Sequence, residues 1–342
     1  MDPIDALREI AFRLERELAP SFKVKAFRHA AEAIAGISAD DLAARVRDGQ
    51  LKRTPGIGAR TFEVIHQTVD GQVPDYLQVL RERGEEPLAE GGRALHALLR
   101  GDLHSHTSSS DGGSPLEEMA QAARLLGRDY LAVTDHSPNL TVANGLSAEL
   151  LSEQVDLVDA YNGSRPADER FRLLAGIEVD ILEDGTLDQE AELLSQLDVV
   201  VASVHSKLRA EERAMTRRML RAIEDPPTDV LGHCTGRLVM GSRGTRPEST
   251  FDAARVFAAC AENQVAVEVN SRPERQDPPD GLIQQALDAG CLFSIDSDAH
   301  APGQLDFLQY GAARAEANGI PAERIVTTWP RERLLEWSGR RR

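Results

Sequence analysis

Cysteine is scarce in this chain of 342 residues. Its three cysteines, Cys234, Cys260 and Cys291, are odd in number and form no CxxC pair, so a disulfide framework is excluded. Cys234 directly follows His233, and neighbouring residues on a strand point to opposite faces, so we expect a buried thiol rather than a ligand. No apolar run approaches the roughly 20 residues that span a bilayer, and the opening MDPIDALREI is not a signal peptide. We therefore expect a cytoplasmic protein with reduced thiols.

Positive charge is also in deficit. The chain has 39 Lys and Arg against 56 Asp and Glu, which gives a formal net charge of −17 at pH 7. Because Lys and Arg supply most of a protein's affinity for phosphate backbones, this balance lowers the expectation of nucleic-acid binding. Bound divalent cations would offset part of it locally, so binding is not excluded. The length, with 41% hydrophobic residues, indicates a large core and a second small domain.

The first 84 residues show the periodicity of short helices. Apolar residues recur at helical spacing and are interrupted at Pro20, Gly36 and Gly49. A Pro-Gly-Ile-Gly turn at 55–58 then precedes a helix at about 59–69. The polar, breaker-rich segment GEEPLAEGG follows. We predict a small all-α domain at 1–84, a linker at 85–98 and a larger domain at 99–342.

The larger domain alternates strands and helices. The predicted strands lie at 101–106, 129–135, 171–179, 198–204, 229–233, 265–270 and 291–297. Helices are predicted at about 115–127, 147–162, 187–196, 209–224, 250–263, 280–289 and 304–318. Seven βα repeats of this length favour an α/β barrel of parallel strands, a TIM-like (βα)7 fold in which chemistry sits at the carboxyl ends of the strands.

Histidines and acidic residues follow these predicted strand ends. They are six of the nine histidines, one glutamate and two aspartates: His104, His106, Asp111, His136, Glu178, His205, His233, Asp298 and His300. A lone core histidine is usually structural, but that explanation does not account for nine such residues at one end of successive strands. Mixed imidazole and carboxylate ligands suit Zn²⁺, Mn²⁺ or Fe²⁺. Two or three such ions about 3.5 to 4 Å apart activate water for phosphoester hydrolysis.

These nine residues, at this spacing, resemble the PHP (polymerase and histidinol phosphatase) family over about residues 100–335. The resemblance implies a distorted seven-stranded barrel with a trinuclear site. It assigns His104, His106, Glu178 and Asp298 to the first metal. It assigns Glu178, His205 and His233 to the second metal, and Asp111, His136 and His300 to the third.

One subgroup of this family is especially similar. Asp111, in a position where some members have histidine, is similar to the PHP domains attached to bacterial family X DNA polymerases. The segments GHCTGRL and EVNSRPERQDPPD also resemble that subgroup. Arg275 in the second segment would face the site and hold a substrate phosphate through two hydrogen bonds. Spacing alone is equally compatible with a surface arginine. Glu178, Asp298 and Arg275 are the predicted catalytic residues.

The amino-terminal region resembles the lyase-type domain of family X polymerases. Thr54–Gly58 would form a helix-hairpin-helix turn whose backbone N–H groups, at Gly56, Gly58 and their neighbours, point at a DNA phosphate. Lys52, Arg53 and Arg60 would support this sequence-independent contact. An ordinary helix-to-helix turn has the same sequence pattern.

Two departures from family X narrow the expected activity. Val64 occupies the position of the Schiff-base lysine, which puts lyase chemistry in doubt. No room remains between the helical domain and the barrel for a polymerase palm, so we expect no DNA synthesis.

Three functions are compatible with these features. The first is a metal-dependent phosphoesterase acting on DNA ends or gaps, as a 3′–5′ exonuclease, a 3′-phosphatase or a related nuclease. The second is a small-molecule phosphatase of histidinol-phosphatase type, in which the helical domain only packs. The third, a non-catalytic DNA-binding protein, is disfavoured by the complete ligand set. The helical domain favours the first function, and the acidic barrel favours the second.

Overall fold

The computed structural model describes residues 1–241 and 244–341. It divides into two compact units, Met1–Pro87 and Leu88–Arg342. Among the described residues, no helix combines the length and the apolar character that crossing a membrane requires.

The first unit is all helical. Its helices are α1 (Pro3–Arg16), α2 (Ser21–Ile34), α3 (Ala39–Arg47), a 3-10 turn (Gln50–Arg53), α4 (Ala59–Val69) and α5 (Asp75–Gly84). Asp2 caps α1 by accepting a hydrogen bond from Ile4 N–H (2.8 Å), and Ser38 accepts one from Asp41 N–H (3.2 Å) at the start of α3. The apolar faces of the helices bury one core that includes Leu7, Ile34 and Ile65.

The second unit alternates seven strands with helices. The strands are β1 (Gly101–Asp102), β2 (Tyr130–Val133), β3 (Arg172–Asp180), β4 (Val199–Ser203), β5 (Val230–Leu231), β6 (Ala266–Asn270) and β7 (Phe293–Asp296). The helices are α6 (Arg93–Leu98), α7 (Leu116–Leu125), α8 (Ala148–Gly163), α9 (Ala191–Leu194), α10 (Glu212–Glu224), α11 (Ala253–Asn263), α12 (Asp280–Asp288), α13 (Leu308–Ala317) and α14 (Arg331–Ser338). Short 3-10 segments lie at Thr141–Ala143, Pro302–Phe307, Ala322–Arg324, Val326–Thr328 and Gly339–Arg341.

The seven strands pair in parallel and in sequence order, β1 to β7. Side chains and loop backbone, rather than a strand ladder, join the two outer strands. Asp296 Oδ1 accepts a hydrogen bond from Leu103 N–H (2.8 Å), and Asp102 Oδ1 accepts one from Ser297 N–H (3.1 Å). Beyond them, His106 N–H donates to Ala299 O (2.8 Å). The predicted fold class, a (βα)7 TIM-like barrel preceded by a helical region, is confirmed as a nearly closed barrel.

The segment predicted as a linker at 85–98 differs from that expectation in its second half. The boundary between the units falls at Pro87, and 93–98 forms α6. Leu88 N–H donates to Gln309 Oε1 (3.0 Å) and Gly92 N–H to Glu316 Oε2 (2.6 Å), so this segment is fixed to the barrel's own α13. The glycines and the proline before this helix predict a loop, and the helix was not predicted because its stability comes from tertiary packing rather than from local propensity.

Candidate metal centre

Glu178 lies at the centre of the converging side chains. It sits on β3, fully buried, and both carboxylate oxygens face imidazole nitrogens. Oε1 lies 2.9 Å from His233 Nε2 and 3.2 Å from His205 Nε2. Oε2 lies 2.9 Å from His136 Nδ1 and 3.3 Å from His104 Nε2. Parallel strands bring their carboxyl ends to one edge, which is why residues distant in the sequence meet there.

A second group of contacts forms around Asp111 and Asp298. Asp111 Oδ1 lies 3.4 Å from His300 Nε2 and 3.5 Å from His136 Nε2. Asp298 Oδ1 lies 3.5 Å from both His106 Nε2 and His300 Nδ1. Asp298 has a left-handed backbone (φ 52°). A non-glycine residue held in this way is often found at a functional site.

The structure brings all nine predicted metal ligands into one continuous cluster. Three sets of ligand atoms lie within 4.8 Å of one another: His106, Asp111, His136 and His300; His104, His106 and Glu178; and His136, Glu178 and His205. His233 and Asp298 join the cluster through the contacts to Glu178 and His106 given above. His106 and His136 each belong to two sets, so the division into three separate metal sites stays a prediction.

The donor atoms of the cluster fit divalent cations. Among the described residues, both ring nitrogens of His106, His205 and His233 are buried, as are His104 Nε2 and His136 Nδ1, and none of them meets a partner at a hydrogen-bonding angle, although several lie close to carboxylate oxygens. Buried polar atoms without partners are costly and rare in native proteins. Imidazole nitrogens beside carboxylate oxygens are ligands that zinc, manganese and iron accept. Binding a cation would satisfy these atoms.

Electrostatics keeps the central carboxylate charged. Burial would raise the pKa of Glu178, but the surrounding His104, His205 and His136 hold it well below its ordinary value. Burial would likewise lower the pKa of His104, yet the charges of Glu178 and Glu268 raise it well above its usual range. Burial and the neighbouring His300 and His136 lower the pKa of His106 well below its ordinary value, and burial with the charge of Arg275 lowers the pKa of His233. The cluster therefore combines ionised carboxylates with both protonated and neutral imidazoles, and a metal ion would replace the remaining ring protons.

Glu268 is a part of the site that the sequence analysis missed. It is fully buried on β6, and its Oε1 lies 2.6 Å from His104 Nδ1. Its Oε2 accepts hydrogen bonds from His233 N–H (2.5 Å) and from Asn270 Nδ2 (3.2 Å). Glu268 therefore orients two predicted ligands at once. The available signal was a charged residue inside the apolar strand sequence AVEVN.

Asp180 and Arg272 hold two further histidines. Asp180 Oδ1 lies 3.5 Å from His205 Nδ1 and accepts a hydrogen bond from His205 N–H (3.2 Å). Arg272 Nη1 lies 2.9 Å from His300 Nδ1 and donates to Asp298 O, also at 2.9 Å. Outer partners of this kind fix the orientation of metal-binding imidazoles.

Arg275 is buried in the site rather than exposed in its proline-rich loop. Its Nε donates to Asp298 Oδ2 at 2.9 Å. Burial opposes its charge, but Asp298 and Glu178 raise the pKa of Arg275 above its ordinary value. Cys234 is also buried and belongs to none of the three sets, and its Sγ faces Asp277 Oδ1 at 3.9 Å.

The residues predicted to contact DNA are exposed on the helical unit. They are Lys52, Arg53, Gly56, Gly58 and Arg60. Lys52 Nζ lies 4.6 Å from the centre of the Phe62 ring, and the Arg60 guanidinium lies 5.3 Å from that of Tyr76. Gly56 requires a left-handed backbone (φ 89°). The turn therefore carries three exposed cations before and in the first turn of α4.

One of the backbone donors expected to contact DNA is engaged within the helical unit. The N–H of Gly58 donates to Thr61 Oγ1 (2.9 Å), so it is not free for a phosphate. The first N–H groups of a helix have no intrahelical acceptor, so those at Ala59 and Arg60 are the alternative donors. Thr61, three residues beyond the turn, accepts this hydrogen bond as a capping residue does.

The model of the PHP domain family matches residues 102–272. The chain belongs to the PHP domain family. It is thus a metal-dependent hydrolase of phosphoester bonds, and the three sets of side chains described above could hold metal ions.

Individual relatives of this PHP protein fall into two kinds. It is 37% identical over 228 residues to "DNA polymerase/3′-5′ exonuclease PolX" of Bacillus subtilis (strain 168), a match that covers 67% of the chain but 39% of that relative. It is 28% identical over 255 residues to a "Probable phosphatase" of Aeromonas hydrophila, across 70% of the chain and 94% of the relative. A solved histidinol phosphate phosphatase from Lactococcus lactis, complexed with zinc, L-histidinol and phosphate, aligns with a TM-score of 0.45 and 16% identity, covering 65% of the chain and 94% of that structure.

Proposed function

We propose that this PHP protein hydrolyses phosphoester bonds at DNA ends or gaps, as a 3′–5′ exonuclease, a 3′-phosphatase or a related nuclease. The observation that carries the hydrolytic part is the convergence of imidazole and carboxylate groups on Glu178 at the carboxyl ends of the strands. The named exonuclease activity of the Bacillus relative supports the choice of DNA as substrate. The cytoplasm is the proposed compartment.

The predicted ligands would hold two or three divalent cations, with Zn²⁺, Mn²⁺ and Fe²⁺ as candidates. His104, His106, Glu178 and Asp298 would hold one ion; Glu178, His205 and His233 a second; and Asp111, His136 and His300 a third. Bound cations of this kind lower the pKa of a water molecule and stabilise the leaving oxygen of a phosphoester. Each imidazole must bind through an unprotonated nitrogen, and the carboxylates must stay ionised.

Arg275 has the position and charge to bind substrate. Its Nε is engaged by Asp298, and no hydrogen bond or ion pair to a described residue involves its two terminal nitrogens. Those nitrogens can form the parallel hydrogen bonds that guanidinium groups make with phosphate oxygens. Asp298 would then fix both a cation and the substrate-binding arginine, which couples the phosphate to the metal centre.

The helical domain at 1–84 would deliver DNA through sequence-independent phosphate contacts. Ala59 and Arg60 N–H at the start of α4, together with Lys52, Arg53 and the Arg60 side chain, form the proposed contact. Gly58 has an ordinary backbone (φ −95°), and a Cβ built on it meets nothing within 4 Å. The fold therefore does not require a glycine at position 58. A glycine there agrees instead with a need for close approach by a ligand.

A small-molecule phosphatase is the second candidate. The Aeromonas relative named as a probable phosphatase is matched over 94% of its length, and the strongly negative charge of the chain disfavours polyanions. In this case the helical domain would act as a packing module and the barrel would take a compact monoester such as histidinol phosphate.

One assay separates the two candidates. Purified protein with Mn²⁺ is offered labelled 3′-recessed DNA, a DNA with a 3′-phosphate end, and histidinol phosphate in parallel. Release of nucleotide or phosphate from DNA at a higher kcat/KM than from histidinol phosphate is the expected result. The reverse order would contradict the proposed nuclease and support the second candidate.

A single substitution tests the helical domain. Gly58→Val should leave the fold intact, weaken binding to gapped DNA, and spare hydrolysis of a chromogenic phosphate ester. Gly36→Val is the matched control, because a Cβ at Gly36 also meets nothing within 4 Å and the residue lies in another turn of the same unit. Equal DNA affinity of the two variants and the wild type would reduce this domain to a scaffold.

A further inference from the structure

Basic residues are concentrated in two neighbouring loops of this acidic protein. The segments 205–210 (HSKLRA) and 234–247 (CTGRLVMGSRGTRP) together contain five Lys and Arg and no Asp or Glu. The segment after β3, at 181–190, contains four acidic residues instead. In a chain with a net charge of −17, the two segments themselves form a local exception, although Glu211, Glu212 and Glu248 flank them. Arg243, one of the five cations, lies outside the described residues.

The two loops pack against each other beside the metal centre. A Cβ built on Gly236 would approach the Leu208 side chain to 2.8 Å, and Ser249, two residues beyond the second segment, donates from Oγ to Leu208 O (2.8 Å). Each loop begins at a predicted ligand, His205 or His233. The second loop is also tied to the site, because Arg237 Nε donates to Arg275 O (3.2 Å).

Four cations on these loops define what we call the basic ridge: Lys207, Arg209, Arg237 and Arg246. Arg237 and Arg246 partly serve the fold, since Arg237 Nε donates to Gln276 O (2.9 Å) and Arg246 Nε to Gly236 O (2.6 Å). Arg209 is exposed and makes no hydrogen bond or ion pair with the described part of the chain.

Lys207 is presented to solvent from a rigid backbone. Its residue has a left-handed conformation (φ 52°), which lysine rarely adopts. The buried Arg218 fixes the preceding residue by donating from Nη1 to Ser206 O (2.7 Å) and from Nη2 to Ser206 Oγ (3.1 Å). The Lys207 ammonium lies 3.8 Å from Glu183 Oε1, but both side chains are mostly exposed, so this pair contributes little. Lys207 is thus held in place without a strong internal partner.

We propose that the basic ridge binds the phosphodiester chain of a nucleic-acid strand, beyond the phosphate that is hydrolysed at the metal centre. A monoester carries one phosphate, which the centre itself takes, and leaves the ridge without an anionic partner. A strand carries further phosphates that the exposed cations neutralise. This inference rests on the proposed function and refines it, because it names single-stranded phosphodiester as the substrate class of the barrel itself.

The test neutralises the two exposed cations of the ridge. The double variant Lys207→Asn with Arg209→Gln removes both charges, and asparagine tolerates the left-handed backbone at 207. The matched control is Arg217→Gln with Arg255→Gln, which removes two exposed arginines from α10 and α11. Melting temperatures of both variants are compared with the wild type to establish that each is folded.

The readouts are hydrolysis of a single-stranded oligonucleotide and of p-nitrophenyl phosphate over a range of salt concentrations. Losing two phosphate contacts should reduce the slope of log(kcat/KM) against log salt by about 1.4 for a single strand. It should lower oligonucleotide kcat/KM at both salt concentrations, with a loss about 5-fold larger at 50 mM than at 150 mM salt. The ester should be hydrolysed at the wild-type rate, and the control variant should behave as wild type with both substrates.

Equal oligonucleotide kinetics and salt slopes in the ridge variant and the wild type would overturn the proposal that the basic ridge binds the strand. Failure of the wild type to hydrolyse any oligonucleotide while it hydrolyses the ester would overturn the proposed nuclease instead. The ridge is then judged by oligonucleotide inhibition of ester hydrolysis. Inhibition that weakens in the ridge variant supports it, and inhibition that is absent or unchanged overturns it.

Discussion

Replacing Glu268 with glutamine tests how the candidate metal centre is held in shape. Glu268 accepts one hydrogen bond from the backbone of His233 and faces His104 Nδ1 with its other oxygen at 2.6 Å. Glutamine has nearly the same shape but only one oxygen. His104 Nδ1 faces one oxygen of Glu268, and the His233 N–H and Asn270 Nδ2 donate to the other, so in the glutamine variant the groups on one side meet an NH₂ group instead of an oxygen.

The size of the effect follows from these contacts. A hydrogen bond to a charged group contributes about 1.5 to 3 kcal/mol, and an unsatisfied buried donor costs about 1 to 3 kcal/mol. Loss of an outer partner of a metal-binding histidine typically lowers metal affinity or activity by about 10- to 100-fold. We therefore expect Glu268→Gln to bind Mn²⁺ or Zn²⁺ about 10- to 100-fold more weakly, with a small loss of stability.

Competition with a chromophoric chelator measures the metal affinity, and ester hydrolysis at saturating metal measures the remaining activity. Asp129→Asn is the matched control, because Asp129 is a buried carboxylate just before β2, at the opposite end of the barrel. It should lose stability without losing metal affinity. Unchanged metal affinity in a folded Glu268→Gln protein would refute the orienting role.

Three further results are expected. Glu178→Ala or His104→Ala should abolish ester hydrolysis in a folded protein, and turnover that persists in either would exclude that residue from the site. Burial opposes charge on His205, but Glu178 and Asp180 raise its pKa to about 9. Metal affinity should therefore increase with pH up to about 9, and calorimetry at pH 7 in buffers of different ionisation enthalpy should detect proton release on binding. Metal binding without proton release would contradict this protonation state of His205. Burial and the adjacent Arg128 lower the pKa of His96 to about 4. The free energy of unfolding should therefore fall as the pH drops from about 6.5 toward 4, by about 1 to 2 kcal/mol after allowance for partial solvation. Chemical unfolding of the His96→Gln variant should not show this dependence on pH.

The barrel and its metal-binding chemistry could be predicted from the sequence because the same pattern, an apolar run followed by a histidine, recurs at several strands. Each buried strand reads as an apolar run, and His136, His205 and His233 follow such runs at the point where parallel strands meet. Glu268 escaped prediction because a charged residue within a strand acquires meaning only when its neighbours across the sheet are known. Asp180 escaped because it lies beside the more conspicuous Glu178.

The remaining differences arise from tertiary contacts. Helix α6 forms within a segment rich in glycine because Leu95 is buried and Glu316 binds the backbone of Gly92. Helix α14 was not predicted either, although Leu334 and Trp337 bury its inner face. The Gly58 N–H is taken by Thr61, a contact that spacing permits but does not require.

Crystals soaked in Mn²⁺ and measured at the manganese absorption edge test the central claim most directly. The account predicts two or three anomalous peaks within the cluster, neighbouring ions about 3.5 to 4 Å apart, with at least one peak against each oxygen of Glu178. It also predicts that the peaks beside Glu178 vanish in a Glu178→Ala crystal. An empty cluster in the wild type, or ions held only by other side chains, would contradict the account.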